Sequence, residues 1–408
     1  MALIVQKYGG SSVGDADMIR GVARRIGREK GRGTDIVAVV SAMGDTTDDL
    51  IELATSVSGG APDPRELDLL LSTGELVSCT LLAMAVRALG YDAVGLSGFQ
   101  AGIRTDTTYG RARISEVDTS RMRKELEEGN LVIVAGFQGV TDEMDVTTLG
   151  RGGSDTTAVA LAAALGAQRC EVYTDVDGIY TADPNTVAEA RKLDEIGYEE
   201  MLELASYGAK MHPRAIELGA FYDVPIYVAS SRNETPGTLI HGGARKGMEQ
   251  RVKVTGIAHD LNVAKITLQG VPDRPGIAAA VLEPLADQAI SVDTIVQNAS
   301  VENLTDLSFT VTRTDAAKAL EVVKPVAEEV GARALTADNG VSKVSIVGSG
   351  MQNAPGYASR MFRALADEGI NIDMITTSEI RITCIIGDDR VKDAVRCLHR
   401  AFQLEREE

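Results

Sequence analysis

Short apolar runs alternate with longer segments of helical period through the first 230 or so residues. Ala2–Lys7, Ile36–Val40, Val94–Leu96, Leu131–Phe137, Cys170–Thr174 and Val224–Val228 are rich in β-branched and small apolar residues and predict buried strands. Residues 15–30, 65–89, 120–128, 158–165 and 213–218 space their apolar positions as helices do. Alternation of this kind predicts βα units and a largely parallel sheet. The pattern ends at Gly242–Gln250, which has linker composition. Beyond it the chain repeats itself. Lys265-Ile266-Thr267-Leu268 corresponds to Lys343-Val344-Ser345-Ile346, and Pro275-Gly276-Ile277-Ala278 to Pro355-Gly356-Tyr357-Ala358. Leu285-Ala286-Asp287 corresponds to Leu365-Ala366-Asp367, and Ile290-Ser291-Val292-Asp293 to Ile370-Asn371-Ile372-Asp373. Each copy reads as strand, Pro-Gly loop, helix, two strands and a further helix (316–330; 391–402), a small ferredoxin-like α+β module.

Charge narrows the function classes. A net charge of −18 over 408 residues argues against nucleic acid as the main partner, because phosphate backbones need a basic face. No run approaches the ~18 uninterrupted apolar residues of a membrane span. The start lacks the basic region, apolar core and cleavage site of a signal peptide, so a cytoplasmic protein is expected. Cys79, Cys170, Cys384 and Cys397 form no CxxC pair and are expected to be reduced, buried thiols. His212, His241, His259 and His399 are too dispersed for a metal cluster, and no residue is assigned as a direct metal ligand.

Candidate chemistry gathers where strands end. Gly150-Arg151-Gly152-Gly153-Ser154-Asp155-Thr156-Thr157 opens an alanine-rich helix, which suits an anion at exposed backbone N–H groups, or else a plain N-capped turn. Lys7-Tyr8-Gly9-Gly10-Ser11-Ser12 repeats the plan and lacks the GxxxxGK[ST] spacing of a P-loop. Lys7 is either a surface side chain or a phosphate ligand. Ser41-Ala42-Met43-Gly44-Asp45-Thr46-Thr47 places hydroxyls at another strand end. Thr73-Gly74-Glu75 puts a carboxylate inside an otherwise apolar helix, which by residue type is either a solvated face or a helix N-cap region. The loop Tyr173–Pro184 fails the calcium-loop spacing and suits a nucleotide edge. Lys210 precedes a Pro-started helix. In a doubly wound sheet these ends converge on one crevice. Lys7, Arg151 and Lys210 against Glu75, Asp155, Asp175 and Asp183 suit a ligand with several phosphates and a metal. Scarce histidine fits an acceptor that needs no base: a carboxylate is already ionised at pH 7 and requires only relief of anion repulsion. A dehydrogenase is disfavoured because no GxGxxG follows the first strand.

Taken in order, these segments, with Thr174-Asp175-Val176-Asp177-Gly178-Ile179-Tyr180 and the two repeats, resemble the bacterial aspartokinases over nearly the whole chain. The resemblance implies an amino-acid kinase α/β domain at 1–245, a first ACT module at 264–336, and a second formed by 251–263 with 337–408. It implies phosphorylation of L-aspartate by ATP with Mg²⁺ to 4-phospho-L-aspartate, on the route to lysine, threonine, methionine and diaminopimelate. Lys7 and Asp155 would be catalytic. Ser41, Thr47, Glu75, Arg151 and Ser154 would hold aspartate, with Glu75 on its amine and Arg151 on a carboxylate. Lys7, Tyr8, Gly9, Gly10, Thr174, Asp175, Tyr180, Asp183 and Lys210 would hold ATP. Lysine, threonine or both would bind at Asp273, Gly276, Ile277, Ala278, Gln297 and Asn298, and at Asn353, Gly356, Tyr357, Asn371 and Ile372. A homo-oligomer through the ACT modules is implied, and a separate regulatory chain starting near Met248 is an option. The paired repeats and Thr73-Gly74-Glu75 weigh against a glutamate, acetylglutamate or UMP kinase, and intact Lys7, Arg151 and Asp155 against an inactive sensor.

Overall fold

The computed structural model describes residues 2–206, 211–242, 254–298, 303–351 and 355–406. The chain divides into two compact units, Met1–Tyr180 with Lys192–Met248, and Thr181–Arg191 with Glu249–Glu408. The excursion Thr181–Arg191 is thus counted with the second unit, inside the span expected for the first.

The first unit begins with β1 (Ala2–Tyr8), α1 (Ala16–Gly31) and β2 (Thr34–Val40). The Asp15 side chain caps α1 by accepting from the Met18 N–H at 2.8 Å, and Ile19, Val22, Ala23 and Ile26 form its buried stripe. Helix α2 (Thr46–Val57) is followed by α3 (Pro64–Ala88), which starts with an Asp63 cap and Pro64 in its first turn. Next come β3 (Ala93–Leu96), β4 (Ile103–Thr105), β5 (Ile114–Val117), α4 (Ser120–Glu127) and β6 (Leu131–Ala135). A hairpin, β7 (Gln138–Val140) and β8 (Val146–Thr148), leads into α5 (Gly153–Leu165) and β9 (Cys170–Thr174). The unit closes with β10 (Glu195–Gly197), α6 (Tyr198–Ser206), α7 (Pro213–Tyr222), β11 (Ile226–Ser230) and β12 (Thr238–His241).

Its main sheet runs β10-β12-β11-β9-β1-β2-β6-β3, parallel except at β11–β12. The chain leaves central β1 for β2 on one side, and β9 pairs on the other, so a switch point lies at the end of β1. A second sheet, β5-β4-β7-β8, contains the hairpin before α5. The glycine-rich segment therefore follows this hairpin rather than the sheet strand read from Leu131–Phe137. The strands are buried on both faces. Ile4, Tyr8, Ile36, Ala38, Val40, Ile133 and Ala135 pack in one cluster with residues of α1 and α3. Alternation turns Val5 and Lys7 to the opposite face.

The second unit holds two antiparallel four-stranded sheets. The segments are β13 (Gly256–Asp260), β14 (Val263–Pro272), α8 (Ile277–Asp287), β15 (Ile295–Gln297), β16 (Leu304–Thr312), α9 (Ala316–Val330) and β17 (Ala334–Asp338). The rest are β18 (Val341–Val347), α10 (Tyr357–Asp367), β19 (Met374–Thr377), β20 (Arg381–Gly387) and α11 (Val391–Ala401). The first sheet is β15-β16-β14-β17 and the second β13-β18-β20-β19, so the edge strand of the second copy comes from before the first. Equivalent residues cross between copies. Lys265 pairs with Asp373 at 3.5 Å, and Lys343 pairs with Asp293. In the same unit the excursion is tied down by Thr181 Oγ1 and His399 Nε2 at 3.0 Å, and by Arg396 Nε donating to the Thr186 carbonyl at 2.9 Å.

Candidate active site

Strand alternation decides the fate of the first motif. Lys7 points to the α5 side, where its Nζ lies 2.6 Å from Asp155 Oδ1. A Cβ built on Gly9 would stand 3.5 Å from that Nζ, so the ammonium lies directly over the glycine turn. Tyr8 points the other way. Its ring is fully buried, stacks on Tyr173 at 5.1 Å, and its hydroxyl donates to Gln6 Oε1 at 3.1 Å. The Tyr8 side chain thus belongs to the core and faces away from Lys7, which leaves only its backbone to the expected ATP contact. Gly10 must be glycine: a Cβ there would lie 2.8 Å from the Ala42 carbonyl oxygen. Ser12 Oγ, at the end of this turn, is buried without a hydrogen-bond partner.

Gly152, in the left-handed region at φ 68°, opens α5. It has no room for a side chain, since a Cβ would come within 2.2 Å of His212. Ser154 and Asp155 follow in the first turn, both nearly buried, where the helix N-terminus favours negative charge. A Cβ on Gly136 would meet Ser154 Oγ at 3.0 Å, so the end of β6 closes one wall. Arg151 is exposed and makes no ion pair with any described residue.

The other wall is α3. Glu75 is only 3% exposed, and its Oε1 accepts from the Ala42 N–H at 3.2 Å. Its Oε2 has no hydrogen-bond partner. Burial pushes this carboxyl up to about 8, against the weaker pull of backbone N–H groups. A buried acid inside an apolar helix thus faces the Ser41–Thr47 segment, with Ser78 Oγ donating to the Ser41 carbonyl at 2.7 Å. Thr47 sits half-exposed in the first turn of α2.

Some expected ATP contacts disperse. Thr174 Oγ1 donates to Asp175 at 3.1 Å at the end of β9, beside β1. Tyr180 is half-exposed and bridges to Lys192. Asp183 lies in the second unit and caps its own turn, accepting from the Asn185 N–H at 2.9 Å and Thr186 Oγ1 at 3.1 Å. Lys210, Asn353 and Met248 lie outside the described residues.

In the second unit Gly276 (φ 96°) and Gly356 (φ 110°) open α8 and α10 in the left-handed region. Asp273, Gln297, Asn298 and Asn371 are exposed near these turns, and Asn371 Nδ2 donates to Asp373 at 3.2 Å. Ala278 and Ile372 are half-buried. Ile277, expected to line an effector site, instead sends its side chain into the module core. Tyr357, its counterpart, packs on the second core and stacks with Phe402 at 6.1 Å. Both residues face inward because the first helical position after each Pro-Gly turn points at the sheet. A recess of about 540 Å³, lined by Met351, Thr377, Ser378, Glu379 and Ile382, was not read from the sequence; its only signal is the polar β19–β20 turn. Asp68, Ser78 and His212 were missed in the first unit. An acid two turns before Glu75 on the same helix face was the available sign.

Residues 2–230 match the amino acid kinase family, and residues 266–325 and 344–402 match an ACT domain. The chain is 50% identical to the aspartokinase of Mycolicibacterium smegmatis, over 99% of this chain and 97% of that one. It is 50% identical to an aspartate kinase of Stutzerimonas stutzeri, over 99% and 98%. Among solved structures it resembles Escherichia coli aspartokinase III in complex with aspartate and ADP, at 26% identity and TM-score 0.81, covering 98% of this chain and all of that one. The complex of that enzyme with lysine and aspartate gives TM-score 0.75 over 98% and 99%. This chain belongs to the aspartokinases, within the amino acid kinase family.

Proposed function

We propose that aspartate is phosphorylated by ATP in the crevice at the ends of β1, β2 and β6. The observation that carries this reading is Glu75, a buried carboxylate with one unpartnered oxygen, which suits the ammonium of an amino acid. Arg151, with no ion pair among the described residues, supplies the fork for a substrate carboxylate, helped by Ser41, Thr47 and Ser154. The side-chain carboxylate attacks the γ-phosphorus as it stands. A new O–P bond forms, the bond from phosphorus to the bridging oxygen breaks, and ADP leaves without any proton being moved. Lys7 neutralises charge on the transferring group, and Asp155 holds its Nζ in place. The N–H of Gly10 with Thr174, Asp175, Tyr180 and Lys210 holds the nucleotide, while the Gly9 N–H donates to the Tyr173 carbonyl at 3.3 Å and fixes the turn.

Among the described residues no three His, Cys, Asp or Glu side chains cluster as metal ligands. Asp155, nearly buried at the start of α5 and 2.6 Å from Lys7, is the carboxylate that would face Mg²⁺ carried largely by phosphate oxygens and water. When bound, Mg²⁺ would supply charge neutralisation across the phosphates. The product, 4-phospho-L-aspartate, serves lysine, threonine and methionine synthesis in the cytoplasm. The ACT modules take lysine or threonine at the Asp273 and Asn371 turns, and pair copies of the chain into an oligomer.

Incubation with ATP, Mg²⁺, hydroxylamine and either aspartate or glutamate tests the reading. Hydroxamate from aspartate is expected, and product from glutamate alone overturns it. Arg151→Ala should lower kcat/KM for aspartate about tenfold or more, as for loss of a hydrogen bond to a charged group.

A further inference from the structure

One buried carboxylate in the first unit has no part in the chemistry above. Asp68 is 1% exposed, on α3 two turns before Glu75. Its Oδ2 accepts from the Gly110 N–H and the Thr148 N–H, both at 2.8 Å, and its Oδ1 accepts from Thr148 Oγ1 at 2.7 Å. Thr148 ends the hairpin strand, and Leu149, Gly150 and Arg151 follow at once. The same stretch is held from behind by Arg214, which donates to the Leu149 carbonyl at 3.0 Å and the Ala112 carbonyl at 2.8 Å.

Further along the same face of α3, the Ser72 carbonyl accepts from Gln138 Nε2 at 2.9 Å, on the other strand of that hairpin. Glu75 holds the Ala42 N–H, and Ser78 holds the Ser41 carbonyl. Positions 68, 72, 75 and 78 therefore form a buried polar ridge on one rigid helix. One end grips the segment that carries Arg151, and the other grips the Ser41 turn.

We propose that Asp68 is a positioning residue that sets the span between the amine-binding and carboxylate-binding ends of the amino-acid site. It rests on the assignment of Glu75 and Arg151 to those ends. A helix is stiff along its axis, so fixing both to α3 fixes their separation, and that separation discriminates aspartate from an acid one methylene longer. A carboxylate suits the role because its four lone-pair directions accept three donors at once, and charged hydrogen bonds are the strong ones. Asparagine can keep its one oxygen on the two N–H groups and turn its N–H₂ to Thr148 Oγ1, but it loses the charge that strengthens all three bonds.

Asp68→Asn and the milder Thr148→Val test this. In Asp68→Asn the KM for aspartate should rise about tenfold or more, with the KM for ATP unchanged and the preference for aspartate over glutamate reduced. Thr148→Val should shift the same quantities in the same direction by less. A lowered melting temperature with unaltered KM for aspartate in the folded enzyme would overturn the proposal, as would equal increases in both KM values. Should Asp68→Asn not fold, Thr148→Val decides on the same readouts. Glu75→Gln and Arg151→Ala run beside them: if neither raises KM for aspartate, the site assignment fails, whereas if both do and the Asp68 and Thr148 variants do not, the positioning role alone fails.

Discussion

The same local device appears in both units and serves different ends. A glycine in the left-handed region opens α5 at Gly152, α8 at Gly276 and α10 at Gly356. What differs is the surroundings. Behind Gly152, Ser154 and Asp155 are nearly buried and Asp155 is already paired with Lys7. Beside Gly276 and Gly356, Asp273, Gln297 and Asn371 are exposed to water. Dipoles and charges in the first case are desolvated and aimed before substrate arrives, so they need no reorganisation during reaction. In the second case the ligand proposed for these turns would have to order hydrated side chains, which suits moderate affinity and reversible control.

Substitutions can break this contrast, and the largest effect is expected at Lys7. Lys7→Met should lower kcat by about 10²–10³-fold while the protein stays folded, because methionine fills the stem and removes only the charge. Steady-state kinetics with a melting curve checks it, and a loss below tenfold would place the ammonium outside the reacting centre.

Glu75 sharpens the contrast through pH. Burial raises its folded-state carboxyl to about 8, above its value in the unfolded chain. Between the ordinary carboxylate range and pH 8 the ligand-free fold keeps a proton that the unfolded chain releases, so this group makes stability fall as pH rises. Subtracting the stability–pH curve of Glu75→Gln from that of the wild type should leave that downward slope. Holding a substrate ammonium needs the ionised form, so KM for aspartate should fall as pH approaches 8 in the wild type and lose this dependence in the variant.

The smallest effect on basal turnover is expected in the second unit. Asp273→Ala and Asn371→Ala should each leave uninhibited kcat within about twofold, since exposed surface changes cost little. Each should raise the lysine or threonine concentration needed for half-inhibition about tenfold or more, as for loss of a hydrogen bond to a charged ligand. Titration of each amino acid, alone and together, measures this. A fall in basal activity with unchanged inhibition would invert the comparison.

Much of this architecture is visible in the chain itself. Strand–turn–helix units, the linker and the repeat follow from apolar spacing and from Gly and Pro, which act locally. The predicted helix over 316–330 matches Ala316–Val330, and the predicted strand over 170–174 matches Cys170–Thr174. The small sheet was missed because β4, β5, β7 and β8 are only three or four residues long, too short for a period to show. Residue type likewise put Lys7 and Asp155 at neighbouring strand ends, and the structure pairs them at 2.6 Å.

Only the tertiary structure decided which way each side chain turned. Alternation along β1 separates Lys7 from Tyr8, and the helix start after each Pro-Gly turn sends Ile277 and Tyr357 inward. Asp183 is spent on its own turn, and Asp68 on Gly110 and Thr148, residues distant along the chain. Composition and spacing determine which groups are present and which elements carry them. Which of those groups lose their water and which find a distant partner is settled by packing, because desolvation and hydrogen-bond geometry depend on neighbours the local pattern does not contain.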